Sequence, residues 1–211
     1  MATIEAVGNL NAIQRDVIRE IGNIGAGNAV TALATMLNDK IEMSIPTVGL
    51  VKLSEFTGMV GGPETVSVCV YLPVDGEAPG HVAFFMPELG AHSLSNRLLG
   101  RDVTDDSEFD DMACSALMEV GNILASSYLV ALCELTGLNL LSSPPALAID
   151  YTAAILDSLA GYLAYTDADE EQAITILTQI QGCEHLIEGM FLYIPTAGSM
   201  RTMLRALNME G

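Results

Sequence analysis

Two stretches of the chain, 99 residues apart, carry the same sparse set of polar residues on otherwise apolar sequence. The first reads Asp16-x3-Glu20-x2-Asn23-x22-Pro46 and the second Ser115-x3-Glu119-x2-Asn122-x22-Pro145. Gly22/Gly121, Ile24/Ile123, Ala26/Ala125, Ala32/Ala131 and Leu33/Leu132 match at the same offset. An internal repeat constrains the fold before any local assignment does. Burial alone does not select a Glu and an Asn inside apolar helices. The chain is therefore expected to hold one polar site twice.

Helix geometry shapes that site. At about 100° per residue, Asp16, Glu20 and Asn23 fall within an arc of about 60°. Ile13, Val17, Ile21 and Ile24 gather on a neighbouring arc, with Ile18 beyond it, and are predicted to face the core. Gly22, Ala26 and Ala29 form a third strip, small enough for another helix to approach. Gly27 lies one turn past Asn23, and its counterpart Ser126 is also small, which leaves the polar face open. That face reads as a docking surface on a rigid rod.

The doubled pattern [D/S]-x3-E-x2-N-x22-P, in a chain of 211 residues, resembles the CheC-type phosphatases of chemotaxis. It is less similar to the single-site CheX type or to the flagellar-switch relative FliY. The resemblance implies a phosphorylated CheY-like receiver as substrate, with the Glu and Asn of each motif as working residues. By motif these are Glu20, Asn23, Glu119 and Asn122, with Asp16, Ser115, Pro46 and Pro145 auxiliary. An aspartyl phosphate already hydrolyses in water, and the receiver holds its own Mg²⁺. What remains is to place a water in line with phosphorus. A carboxamide suits this because it offers an acceptor and two donors. Glu20 and Glu119 suit an anchor on a receiver Lys. No cofactor is expected on this chain. The resemblance also implies a CheD-like receptor deamidase as partner. A phospho-receiver-dependent binding module regulating that deamidase, and a flagellar or archaellar switch component, stand as alternatives.

Other chemistries fit the residues less well. Asp16 and Glu20 lack a His or third carboxylate on their face, so no metal site is expected. Gly22-Asn-Ile-Gly25-Ala-Gly27 has neither a preceding strand nor the Lys-Ser/Thr of a phosphate loop. The net charge of −19, from 27 acidic against 8 basic residues, argues against nucleic acid as partner. Only Lys40 and Lys52 are lysines, and that balance resembles a salt-adapted prokaryotic cytoplasm, where salt screens the self-repulsion. Residues 1–12 show no secretory pattern. No run reaches about 18 uninterrupted apolar residues, so no membrane span is expected and the location reads as cytoplasmic. Cys69, Cys114, Cys133 and Cys183 show no C-x-x-C spacing and read as reduced thiols. His81, His92 and His185 match no ligand spacing.

Along the chain, Asn11 with Gln14 is predicted to cap a helix running to about Asn38. Strand-like sequence spans 40–53, with Pro46 at an edge or bulge. A short helix over 54–60 precedes a hairpin of 65–72 with 81–86. Pro87 is expected as the first residue of a helix to Gly100, and 101–109 as the boundary between halves. The second half repeats this order: a helix over 107–137, a strand through Pro145 to Tyr151, a helix over 152–164 and an acidic loop at 167–171. A hairpin of 173–180 with 185–194 and a last helix opened by Pro195 complete it. Pro87-x2-Gly90-x6-Arg97 matches Pro195-x2-Gly198-x6-Arg205 at an offset of 108, which predicts nine extra residues around 152–171. The expected fold is α+β: two pseudo-twofold-related halves, about 1–104 and 105–211, forming one domain. An antiparallel β-sheet carries the two long site-bearing helices and shorter covering helices. In the 152–164 helix, Ile155, Leu156, Leu159 and Leu163 recur at helical spacing while alanines fill the other faces. Ala154, Ile155, Asp157 and Ser158 are therefore candidates for a protein contact. Burial of that helix on both sides stays open.

Overall fold

The structure is a computed structural model that describes residues 12–102, 108–164, 172–181, 187–196 and 198–207. Helix α1 spans Ala12–Leu37 and its repeat, numbered α4 in chain order, spans Asp111–Thr136. Both have 26 residues and both ends are offset by 99. Asp110 caps α4 by accepting the Ala113 N–H at 2.8 Å, while Arg101 pairs with its other oxygen at 2.6 Å. These contacts hold the Asp110 carboxyl below its usual range, the Arg101 hydrogen bond contributing most. Gly137, at φ 71°, closes α4 in the left-handed conformation that glycine tolerates. Asn38 turns the chain after α1 at φ 49°. The expected Asn11 cap lies outside the described residues.

After α1 comes β1 (Glu42–Lys52), then α2 (Leu53–Phe56) with a 3-10 turn (Thr57–Met59), and the hairpin β2 (Val66–Gly76) and β3 (Gly80–Pro87). Helix α3 (Glu88–Leu98) ends the first half. The second half follows α4 with β4 (Leu140–Ser142), β5 (Ala146–Tyr151) and α5 (Thr152–Ala164). Its hairpin is β6 (Gln172–Gln181) and β7 (Ile187–Pro195), followed by α6 (Ser199–Ala206). The strands form one antiparallel sheet in the order β1-β6-β7-β3-β2, with β4 and β5 both on the outer side of β2. Each half thus lends the strand after its long helix to the hairpin of the other half.

The repeat is visible in the registers. Val48 pairs with Ile176 and Leu147 with Val70, while Phe84 pairs with Phe191 at the centre. Proline, which cannot donate to the ladder, breaks the strand at equivalent places. Edge strand β1 shifts register between Ser44 and Thr47, across Pro46. In the second half Pro144-Pro145 occupies the gap that separates β4 from β5.

Two expectations need correction. Pro87 is the last residue of β3 and the N-cap of α3, and Pro195 is the last residue of β7, ahead of an α6 that starts at Ser199. Each proline stops a strand before its helix, because it still occupies the last place in the pairing register: Pro87 faces Ser67 and Pro195 faces Gly80. The nine extra residues are also not all in 152–171. The offset is 106 for Val70/Ile176, 107 for Phe84/Phe191 and 108 for Arg97/Arg205, so seven precede β6 and one enters at each later step.

Side chains alternate across the sheet, as the strand period of two requires. Val68, Val70, Leu72, Val82, Phe84, Ile174, Ile176 and Phe191 share one core with α1, α3, α4 and α6. Cys69, Ala83, Phe85, Ala173, Met190 and Leu192 share a second core with Phe56 of α2 and Ile155, Leu156 and Leu159 of α5. The long helices thus lie on one face of the sheet and the short α2 and α5 on the other.

Candidate functional site

Helices α1 and α4 pack against each other on the sheet, and the side chains they bury decide which ones point away. In α1 the buried residues are Ile18, Ile21, Gly22, Gly25, Ala26, Ala29 and Leu33. The core face is therefore the small-residue strip together with Ile18 and Ile21. The predicted stripe is corrected at its start: Val17 and Ile24 are half-buried, and Ile13 is 75% exposed. The physical reason is closeness. Glycine and alanine let the helix backbone settle onto the sheet, and this turns Ile13 outward.

The glycine before each Asn shows how tight that contact is. A Cβ on Gly121 would lie 2.4 Å from Val70, and one on Gly22 would lie 2.9 Å from Ile45 and 3.3 Å from Ile176. Gly22 thus faces strands, where the sequence suggested a helix. The helix–helix approach falls on Gly25, where a Cβ would stand 2.2 Å from the Tyr128 ring of α4. Tyr128 is fixed by a 2.6 Å hydrogen bond to Thr178 and by its tilted contact with Phe191, and burial pushes its phenol above its usual range. Sequence reasoning did not single out Tyr128, nor which glycine of the 22–27 run the neighbouring helix meets. The mismatch of Gly25 with Leu124 across an otherwise matching repeat is the signal that could have exposed them.

On the opposite face, Asp16, Glu20 and Asn23 are exposed on α1, as are Ser115 and Glu119 on α4. Asn122 is half-buried, and the Ser126 hydroxyl donates to its Oδ1 at 3.4 Å. Gly27, the counterpart of Ser126, has open space where a side chain would go. Each Glu and Asn are about 4.5 Å apart along the axis and share a face. This rigid pair offers a carboxylate and a carboxamide to anything that docks end-on. Pro46 and Pro145 lie at the strand breaks, not on this polar face.

The remaining candidates separate by burial. On α5, Ala154, Asp157 and Ser158 are exposed, whereas Ile155 is buried in the second core beside Leu156 and Leu159. Ile155 is therefore corrected to a core residue, since its spacing places it on the stripe that meets the sheet. A cavity of ≈ 380 Å³ lies between α5 and β5, lined in part by Cys69, Tyr71, Asp150, Ala154 and Ser158. Burial raises the Cys69 thiol above its usual range. His81 meets the Tyr71 hydroxyl at 2.6 Å and is lowered by burial, and His92 stacks on Phe109. Cys183 and His185 lie outside the described residues. Among the described residues no three His, Cys, Asp or Glu side chains come together. Helix α4 has the length and mean hydropathy, 1.5 over 18 residues, of a membrane span, but half of that window is buried inside the protein.

Comparison with known proteins now places the chain. Its fold is that of the crystal structure of Thermotoga maritima FliY, with a TM-score of 0.75 at 22% identity over 95% of this chain and 98% of that one. The match is to a class of α+β domains built on one antiparallel sheet. The CheC-like family matches residues 13–50 and 112–149, two segments that are themselves 99 residues apart. The CheY-P phosphatase CheC of Bacillus subtilis is 35% identical over 199 residues, 92% of this chain and 93% of that protein. The chain belongs to the CheC-like family. The flagellar motor switch phosphatase FliY of the same bacterium is 26% identical over 67% of this chain and 37% of its own length.

Proposed function

We propose that the protein is a phosphatase of a phosphorylated CheY-like response regulator, acting at two sites. One observation carries the reading: a Glu-x-x-Asn pair, exposed except for the half-buried Asn122, stands on the same outward face of both long helices, in a member of a family whose Bacillus subtilis relative is a CheY-P phosphatase. In each site the Asn carboxamide enters the receiver's phosphorylation site. Its oxygen accepts one hydrogen of a water and its NH₂ group steadies the water oxygen in line with phosphorus. The water attacks, the P–O bond to the receiver's aspartate breaks, and phosphate leaves as the carboxylate is restored. Mg²⁺ on the receiver neutralises the developing charge. Glu20 and Glu119 anchor the receiver through a charge-assisted contact with its Lys. Asp16 and Ser115, one turn earlier, support docking.

Phosphate release from a phosphorylated receiver tests this. Asn23→Ala with Asn122→Ala is expected to lower the acceleration by about 100-fold, the scale of a lost positioning group, without lowering Tm. A double variant as fast as wild type would remove the water-positioning role.

The exposed face of α5 favours a second contact beside the first. Ala154 and Ser158 border the cavity against β5 and Asp157 is exposed on the same helix, and a CheD-like deamidase is the partner proposed for this face. In that reading the phosphorylated receiver regulates the deamidase through this chain. Ala154→Lys is expected to abolish CheD-like binding in a pull-down while phosphate release and Tm stay unchanged. Retained binding would move the partner elsewhere.

A further inference from the structure

A large apolar side chain stands in solvent at the same place in both repeats. Ile13 is 75% exposed and Met112 is 62% exposed, 99 residues apart, each in the first turn of its long helix. One exposed apolar residue is ordinary. Two at equivalent positions of a duplicated polar face are not explained by the core, which both helices form without them.

Their placement ties them to the site. Each lies three residues before Asp16 or Ser115, seven before Glu20 or Glu119 and ten before Asn23 or Asn122. Two helical turns return a side chain to within about 20° of its starting direction. Ile13 is therefore nearly in line with Glu20, and Met112 with Glu119. From the apolar residue to the Asn the row covers about 15 Å, within one docked domain.

The charge balance says why an apolar anchor is needed. The chain carries −19, and an aspartyl phosphate is itself anionic. Those two charges do not attract each other, so desolvated contact is a useful source of affinity beside the Glu–Lys contact, and a large exposed apolar side chain is suited to it. We propose that Ile13 and Met112 are the apolar anchors with which each site grips the phosphorylated receiver. The inference rests on the phosphatase reading above and adds to it the residues that supply affinity.

The test uses the full chain carrying Ile13→Ser with Met112→Ser. Binding is measured to a receiver activated with beryllofluoride and Mg²⁺, and turnover on the phosphorylated receiver. Kd and KM are expected to rise about ten-fold or more, with kcat and Tm unchanged. Ile13→Leu with Met112→Leu is expected to restore both. Wild-type Kd and KM in the serine variant, on an active enzyme, would overturn the anchor and leave the phosphatase reading intact. A fall in Tm with the loss of binding would assign the two side chains to the fold and also overturn it. A wild-type chain that neither binds the activated receiver nor speeds phosphate release would sink the phosphatase reading and the anchor with it.

Discussion

Helices α1 and α4 present the same polar face but fill the space beneath it in opposite ways. At one buried level α1 has Gly25 where α4 has Leu124, and at the next α1 has Ala29 where α4 has Tyr128. The large ring of Tyr128 lies over Gly25. Volume removed from one helix reappears in the other, and cores tolerate that exchange when the total is kept. The Glu and Asn are identical in both copies, while Asp16/Ser115 and Gly27/Ser126 differ around them. Core positions answer to their neighbours in this molecule, whereas the Glu and Asn of the outer face have no such neighbour to compensate.

The largest test of that contrast is a pair of glycines two residues apart on α1. Gly25→Ala drives a methyl into Tyr128 and is expected to cost about 1–3 kcal/mol of stability in a denaturant titration. Gly27→Ala meets open space and is expected to stabilise by up to about 1 kcal/mol, because alanine favours a helix interior. Equal effects at the two positions would mean that α1 and α4 do not pack as described.

A smaller effect separates the two sites. Asn122 is half-buried and already held by Ser126, while Asn23 stands free of any such contact from Gly27. Asn122→Ala is therefore expected to remove more than half of the turnover, and Asn23→Ala less than half. Exchanging the supports, Gly27→Ser with Ser126→Gly, should reverse the ranking by a few-fold, the size of one hydrogen bond of about 1 kcal/mol. Single-turnover rates of the four variants decide it, and an unchanged ranking would show that Ser126 does not position the amide.

Much of this was legible in the chain. The repeat predicts two long helices, and local pattern predicts the strand break at Pro46, both hairpins and a helix over 152–164 whose bounds the structure reproduces; the second long helix starts at Asp111, four residues later than expected. Glu20, Asn23 and Glu119 stand on exposed positions of the face that helix period predicted. The failures share one cause. Periodicity says which residues lie together on a helix, but not how deep the helix sits. The apolar arc of Ile13, Val17, Ile21 and Ile24 predicts a core face there; the glycine strip seats α1 on the sheet along a different line and leaves Ile13 outside. Ile155 failed in the reverse sense, its stripe being needed by the second core. The exchange of strands between halves was illegible for another reason: pairing of β1 with β6 is decided by tertiary contact alone, and nothing in either strand names its partner.

That exchange sets the order in which the molecule can be made. Glu42 pairs with Gln181, so the first-half strand waits for well over a hundred further residues before its neighbour exists. Contacts of such long range close late and slow the folding of a chain. During synthesis the first half emerges with α1 folded against an incomplete sheet and with the edge of β1 open, a surface on which unfinished chains can pair wrongly. The same geometry means that two separately expressed halves, divided in the 101–109 connection, hold between them every strand each one lacks.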